Sequence, residues 1–224
     1  MTKAKRAVRT DGEATRARIL DAAGKLIAAT GFADTTNKAI AAEADVDLAS
    51  INYHFGNRNG LYQAVLIEAH RRVVDLVDLQ EAVKSRQPAS VKLKILIEHL
   101  VKPEGGAEGW HMSVLAAEIL APSPHIQALL QSEVPTKMLV IMDILSEITG
   151  IPAGDPALPR CLISVVSPCM LLQIGRRAPT PTPIQVILRT PRKIVVDHFY
   201  RFAMAGLEAI GHEYALHARN DRRP

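Results

Sequence analysis

Apolar residues recur every three or four positions along most of the chain, a spacing that predicts amphipathic helices. The first such stripe comprises Ile19, Leu20, Ala23, Leu26 and Ile27. Gly31 follows it closely, as a glycine often does at the end of a helix. No run combines the length and the two-residue alternation of a strand, and VVSPCMLL is interrupted by a proline and fits a buried helix equally well. The pattern therefore predicts an all-α protein.

Two short helices are predicted after the first one. Thr35 is positioned to cap a helix over 36–44. A tight turn at Asp45 follows, where a positive φ is expected, and Asp47 is predicted to cap a third helix that ends near His54. The side chains expected to face inward are Ile40, Ala41, Val46 and Ile51. A longer helix followed by two short ones across a tight turn makes a three-helix helix-turn-helix unit.

The rest of the chain reads as longer and more apolar helices. Asn57 or Asn59 is predicted to start a fourth helix, and later spans are predicted at 88–101, 107–121, 124–149, 156–177 and 190–213, separated by breaks rich in proline and glycine. The expected organisation is a basic flexible arm at 1–10, a helix-turn-helix domain at 11–58, a connecting helix at 59–84, a helical ligand-binding and dimerisation domain at 85–217 and a tail at 218–224.

Positive charge is concentrated at the N-terminus. The whole chain has a formal net charge of +4, and residues 1–18 alone carry six basic and two acidic side chains, which gives the same excess. A basic arm beside a folded unit is typical of a segment that seeks phosphates. A solvated disordered end explains the charge equally well.

The stretch TTNKAIA…VDLASINYHFGNRNGL resembles the DNA-binding domain of TetR-family transcriptional regulators over about residues 11–70. The family's threonine at the start of the second helix matches Thr35, and its F-x-x-K-x-x-L loop appears as Phe55, Arg58 and Leu61. INYHFG resembles the CecR-like branch, as does the Glu-Ile-Leu-x-Pro-x-Pro stretch at 118–124. The resemblance implies a helix-turn-helix regulator that binds double-stranded operator DNA.

Three positions depart from the family pattern. Asp45 stands where the family has its turn glycine, which predicts strain at that turn. The recognition helix starts with Asp47, Leu48 and Ala49 instead of a polar, a basic and a glycine residue, which removes a common phosphate contact. Asn52 replaces the family's tyrosine three residues before the phenylalanine.

Candidate DNA contacts follow from the exposed side of the third helix. Phosphate contacts are expected from Thr36, Lys38, Tyr53, His54 and Arg58. Base contacts are expected from Leu48, Ala49, Ser50 and Asn52, because asparagine pairs with adenine and small apolar groups suit the thymine methyl. The alternatives are a half-buried core role for Tyr53, packing for His54 and a solvated surface charge for Arg58. Phe55 and Tyr62 are assigned to the core.

A small-molecule site is expected in the larger helical region, where apolar helices with irregular breaks suit a hollow bundle. The candidate lining residues are Trp110, His111, Leu115, Glu118, Met138, Met142, Met170 and Gln173. Methionine and aromatic residues at helical spacing are also typical of plain core, and that alternative stays open. No ligand, cofactor or metal is identified from the residues.

The last two long helices, about 156–177 and 190–213, carry more apolar surface than one layer buries. This predicts a homodimer, which also presents two recognition helices to two half-sites. The expected mechanism is a repressor released when an effector favours another subunit arrangement, with the helix from about 59 to 80 as the lever.

Two other function classes compete with a regulator. The first is a helical enzyme, for which we find no H-E-x-x-H, G-x-S-x-G, G-x-G-x-x-G or phosphate-binding loop motif. The second is a helical adaptor that binds no DNA, which would not need the basic arm. Cys161 and Cys169 are eight residues apart, too far on one helix for a disulfide. With no run long enough to span a bilayer comfortably, we expect a cytoplasmic protein without membrane contact.

Overall fold

The computed structural model describes residues 3–73, 86–102, 109–132, 134–175 and 183–220, without the side chains of 3–10, 183–185 and 220. Every regular element in these ranges is an α-helix, which confirms the predicted fold class. The helices are α1 (Lys3–Thr30), α2 (Asn37–Glu43), α3 (Leu48–Phe55), α4 (Arg58–Val73), α5 (Ala89–Val101), α6 (His111–Leu120), α7 (Ile126–Ser132), α8 (Val134–Thr149), α9 (Ala157–Gly175), α10 (Pro183–Leu188) and α11 (Arg192–Asn220).

The helices form two compact units. The first unit holds α1–α4 together with α6 and α7, and the second holds α5 and α8–α11. The sequence suggested that everything after residue 85 forms one domain, whereas α6 and α7 pack with the N-terminal helices. The limits predicted for the functional domains therefore stay a prediction. Residues 74–84 of the predicted connecting helix lie outside the described residues.

Helix ends differ from the sequence expectation in several places. The backbone is helical from Lys3, where an arm was expected over 1–10. The span predicted at 124–149 is occupied by α7 and α8 on either side of residue 133, which is not described. The last helix continues to Asn220, past its predicted end at 213 and into the predicted tail.

The junction between α1 and α2 shows how the short helices begin. Gly31 has φ +86° and its N–H bonds to the carbonyl of Ile27 at 2.8 Å, so it ends α1 as predicted. The cap of α2 is Thr36, whose hydroxyl accepts from the N–H of Ala39 at 3.1 Å, and the prediction of Thr35 was wrong. Thr35 is buried, and its hydroxyl donates to the carbonyl of Gly31 at 2.8 Å, so it serves the end of the preceding helix instead.

The first unit is built around apolar faces of α1 and α4. The helix α1 packs against α2, α4 and α6, while α3 lies against α2 and α4. The fully buried side chains that share this core include Ile19, Ala23, Ile51, Leu61, Val65, Leu66 and Ala69. Burial of such side chains contributes about 1.5–3 kcal/mol each, so packing rather than helix propensity holds the two short helices.

The second unit buries one side of α9 against its other helices. Among the described residues, α9 is the one helix long and apolar enough to cross a membrane, yet its Leu158, Cys161, Val165 and Cys169 side chains lie in the core of this unit. Both cysteines are free thiols, as expected. Burial raises the pKa of Cys169 to about 12 and raises that of Cys161 above its usual value. These thiols are therefore packed core groups.

Candidate nucleic-acid interface

The turn between α2 and α3 is tight. The N–H of Val46 bonds to the carbonyl of Ala41 at 3.0 Å, and Asp45 has φ +51°. The expected positive φ is therefore confirmed at a residue that is not glycine. Aspartate tolerates this left-handed conformation better than most side chains, although at some cost in strain.

Asp47 caps the recognition helix α3, as predicted. Its Oδ1 atom accepts from the N–H of Ser50 at 2.6 Å and from the Ser50 hydroxyl at 2.8 Å. These hydrogen bonds hold the pKa of Asp47 below its ordinary value, so its carboxylate is charged at neutral pH. Ile51 is fully buried beneath the helix and fixes which side faces outward.

The opposite side of α3 is exposed over its whole length. Leu48 is 50% exposed and Tyr53 is 85% exposed, which excludes the half-buried core role considered for Tyr53. Ala49 and Asn52 are exposed, and Ser50 and His54 are half-buried. The predicted base contacts thus share one accessible helix with two of the predicted phosphate contacts.

The remaining predicted phosphate contacts differ in how accessible they are. Thr36 and Lys38 are exposed at the start of α2, and the Thr36 hydroxyl keeps its proton for another acceptor, since it accepts from Ala39. Arg58 instead donates to the carbonyls of Phe32 and Ala33, the latter at 3.1 Å, and lies over the Phe32 ring at 4.6 Å. Its phosphate contact stays a prediction, and its geometry favours a role in holding α4 against the loop after α1.

Sequence reasoning missed one cation beside the recognition helix. The Arg16 guanidinium lies 5.1 Å from the centre of the Phe55 ring, and Phe55 is half-buried rather than fully in the core. Tyr62 is buried, as predicted. The signal available for Arg16 was its place in the basic N-terminal segment, but its aromatic partner depends on how α1 packs near α3.

Four of the predicted ligand contacts lie in the first unit. Leu115 is buried core, and the buried Glu118 carboxylate accepts from Tyr62 Oη at 2.7 Å and from the backbone and hydroxyl of Ser123 at 2.8 and 2.7 Å. Trp110 is buried, donates from Nε1 to Asp21 at 3.1 Å, and stacks on His111 with ring centres 4.1 Å apart. A cavity of about 330 Å³ opens beside this stack, between α1, α4 and the start of α6.

The other four lie in the second unit. Met142 is buried core, Met138 is 40% exposed and Met170 is half-buried. The Gln173 amide donates to the carbonyls of Leu100 and Lys102 at 2.8 and 2.5 Å, so it satisfies the end of α5. The structure therefore divides the expected set between two units, and both buried polar members of the set, Glu118 and Gln173, already have protein partners. The ligand contacts stay predictions.

Within the described ranges, no group of three or more histidine, cysteine, aspartate or glutamate side chains is placed to hold a metal ion. The chemistry that the exposed side of α3 offers is hydrogen bonding and apolar contact on a helix narrow enough for the DNA major groove.

Solved structures of similar fold cover most of the chain. One is the fatty acid degradation regulator FadR from Bacillus halodurans, with a TM-score of 0.64 and 15% identity over 84% of this chain and 97% of that one. A tetR-family regulatory protein from Rhodococcus RHA1 has a TM-score of 0.62 and 22% identity over 85% and 95% of the two chains. A TetR-like regulator from Rhodococcus sp. RHA1 has a TM-score of 0.62 and 16% identity over 86% and 95%. No curated protein matches the sequence.

Two family models match the chain in succession. Residues 19–65 match the bacterial regulatory proteins of the tetR family, and they include α2, the turn and α3. Residues 89–207 match the C-terminal domain of the HTH-type transcriptional dual regulator CecR, which is more than half of the chain. With a capped and exposed α3 inside the first match, the chain belongs to the TetR family of DNA-binding transcriptional regulators and carries a C-terminal region of the CecR type.

Proposed function

We propose that this regulator binds a two-fold operator as a homodimer, represses transcription there, and leaves the DNA when a small molecule binds. The observation that carries the proposal is the exposed side of α3, where Leu48, Asn52 and Tyr53 stand clear of the protein on a helix fixed by Asp47 and Ile51. A helix held this firmly positions its side chains for base edges at low entropic cost.

Direct base contacts are assigned to Leu48, Ala49, Ser50 and Asn52. Phosphate contacts are assigned to Thr36, Lys38, Tyr53 and His54, which flank them on α2 and the end of α3. Phosphate contacts set the register of the helix, and base contacts set the sequence. A soluble cytoplasmic location follows from access to the chromosome.

Dimerisation is supported by apolar side chains on the second unit. On α9, Ile163 is 64% exposed and Leu171 is 54% exposed, while on α11 Phe202 is 74% exposed. Large apolar side chains as exposed as these favour an interface, and a two-fold pair brings the same surface of each copy together. The dimer interface is therefore proposed to use α9 and α11.

Release by an effector requires a ligand that binds the DNA-competent and released states with different affinity. The cavity beside Trp110 and His111 is one place for such a ligand, since it has an aromatic wall and ionic side chains at its rim. The C-terminal family that matches is that of a dual regulator, CecR, so activation at some operators is the second candidate for the sign of control.

A binding experiment tests the proposal. Duplexes taken from both sides of the encoding gene are titrated with the full-length protein by fluorescence anisotropy at several salt concentrations. We expect one duplex to bind at least about 1000-fold more tightly than a scrambled duplex of equal length. The Asn52→Ala variant should lose most of that difference, and Gln131→Ala, which removes an exposed amide on α7, should keep it. Equal binding of all duplexes by the wild-type protein would contradict the proposal.

A further inference from the structure

The side chains of Asp47 and Ser50, at the start of the recognition helix, present acceptor atoms and no free donor. The Ser50 hydroxyl has one proton, and it donates that proton to Asp47 Oδ1 at 2.8 Å. The lone pairs of the Ser50 hydroxyl oxygen are therefore left to accept a hydrogen bond from another molecule. The Asp47 side chain is exposed, and its carboxylate carries no proton to donate.

We propose that Asp47 and Ser50 act together as a specificity determinant that selects cytosine at one position of each half-site. In the major groove, cytosine presents the N4 amino donor, whereas guanine presents its N7 and O6 acceptors. An acceptor pair gains a hydrogen bond from the first base and is repelled by the second. Adenine is intermediate, because its N6 donor stands beside the N7 acceptor.

The inference extends the DNA-binding function proposed above and rests on it. Its cost is electrostatic, since a carboxylate close to the phosphates lowers the affinity for every duplex. Its benefit is discrimination between bases, because a half-site with guanine at this position places acceptor atoms against the acceptors of Asp47 and Ser50. The expected signature of Asp47 is therefore weaker binding overall with sharper choice of sequence.

The chain supplies a matched pair of variants. Asp47→Asn keeps a good helix cap but adds an amide donor, so it can bond to guanine acceptors. Asp45→Asn removes the same charge two residues away, and asparagine tolerates the positive φ of that turn. The two variants change the general electrostatic attraction alike, and only Asp47→Asn changes the donor pattern at the start of α3.

The test is selection of bound duplexes from a pool with randomised half-sites, followed by sequencing. The wild type and Asp45→Asn should enrich cytosine over guanine by about tenfold at one position of each half-site. Asp47→Asn should reduce that enrichment to about twofold or less and should bind the unselected pool more tightly. Thermal unfolding followed by circular dichroism checks that both variants fold.

The outcomes separate this inference from the proposed function. If the wild type selects a sequence but Asp47→Asn selects the same bases with the same strength, the inference is overturned and the DNA-binding function stands. Loss of the cytosine preference in Asp45→Asn as well would assign it to charge alone and would also overturn the inference. If the wild type binds no duplex at low salt, the proposed function itself fails.

Discussion

The hydroxyl of Tyr62 lies 2.7 Å from Oε2 of Glu118 and donates a hydrogen bond to it, with both side chains buried. Tyr62 belongs to α4 and Glu118 to α6, so the bond joins a helix that supports the recognition helix to a segment far along the chain. The same tyrosine ring stacks on the Phe32 ring with ring centres 4.2 Å apart. The Arg58 guanidinium lies over the Phe32 ring, 4.6 Å from its centre. These contacts connect four side chains of the first unit into one group, namely Phe32, Arg58, Tyr62 and Glu118.

Tyr62→Phe tests this hydrogen bond. It leaves a buried carboxylate with one donor fewer, and we expect the free energy of unfolding to fall by about 1–3 kcal/mol, measured by urea titration at pH 8. Burial, and then the bond to Glu118, raises the pKa of Tyr62 above its ordinary value. A raised folded-state pKa gives stability that is complete below the unfolded value near pH 10 and is lost as the pH rises further.

The wild type should therefore lose stability more steeply above pH 10 than Tyr62→Phe. Tyr214→Phe is the comparison, because the half-buried Asp155 raises the pKa of Tyr214 chiefly through a hydrogen bond. Equal pH slopes for the wild type and Tyr62→Phe would contradict the predicted contribution of Tyr62.

Lys38→Ala tests the phosphate contacts of α2. Each lost contact lowers the slope of log affinity against log salt by about 0.9, so a dimer on two half-sites should lose about 1.8. Folding stability should stay within about 0.5 kcal/mol, because Lys38 is exposed. Lys102→Ala, an exposed lysine in the second unit, should leave the slope unchanged. An unchanged slope for Lys38→Ala would remove Lys38 from the interface.

Arg58→Ala distinguishes a positioning role from a phosphate contact. Loss of the carbonyl hydrogen bonds and of the contact with the Phe32 ring should cost about 1–3 kcal/mol of stability. The salt slope of DNA binding should remain that of the wild type. A slope reduced as much as in Lys38→Ala, with unchanged stability, would instead support the contact predicted from the sequence.

Phe202→Glu tests the proposed dimer surface. A charge on this exposed apolar side chain should raise the dimer dissociation constant by roughly 100-fold, measured by sedimentation equilibrium, because buried aromatic groups dominate such interfaces. Leu130→Glu places the same charge on an apolar side chain of the first unit that is 44% exposed, and it should leave the dimer intact. A Phe202→Glu protein that stays dimeric at nanomolar concentration would place the interface elsewhere.

Gly24→Ala tests how closely the Trp110 ring packs against α1. A Cβ at Gly24 would overlap the indole ring, so the ring must move and stability should fall by about 1–3 kcal/mol. The emission of the single tryptophan should shift to longer wavelength as the ring gains water contact. Gly154→Ala meets no neighbouring atom within 4 Å and should change neither property. An unshifted emission spectrum in Gly24→Ala would argue against this packing.

The sequence predicted best what depends on neighbours along the chain. The end of α1 at Gly31, the positive φ at Asp45 and the cap at Asp47 each involve residues within five positions of one another, and all three were confirmed. The prediction of Thr35 as the cap of α2 was wrong, because Thr36 takes that place. Both hydroxyls fit the local pattern, and the bond of Thr35 to Gly31 decided between them.

Contacts between distant segments could not be predicted. Trp110 meets Asp21 across 89 positions, and Tyr62 meets Glu118 across 56. A residue type indicates that such a group needs a partner when buried, but the partner is set by the packing of helices. For the same reason Glu118 and Gln173 looked like ligand anchors in the sequence, while the structure gives both of them backbone or side-chain partners.

The two buried thiols of α9 make the natural protein suitable for site-specific labelling. Reaction with maleimide requires an accessible thiolate, and Cys161 and Cys169 offer neither exposure nor an ordinary pKa. A cysteine introduced at an exposed position of α2 would therefore react with a fluorophore or spin label while both native cysteines stay unlabelled and in place. In the proposed dimer, the distance between the two labels would then report the separation of the two recognition helices as operator DNA and candidate effectors are added.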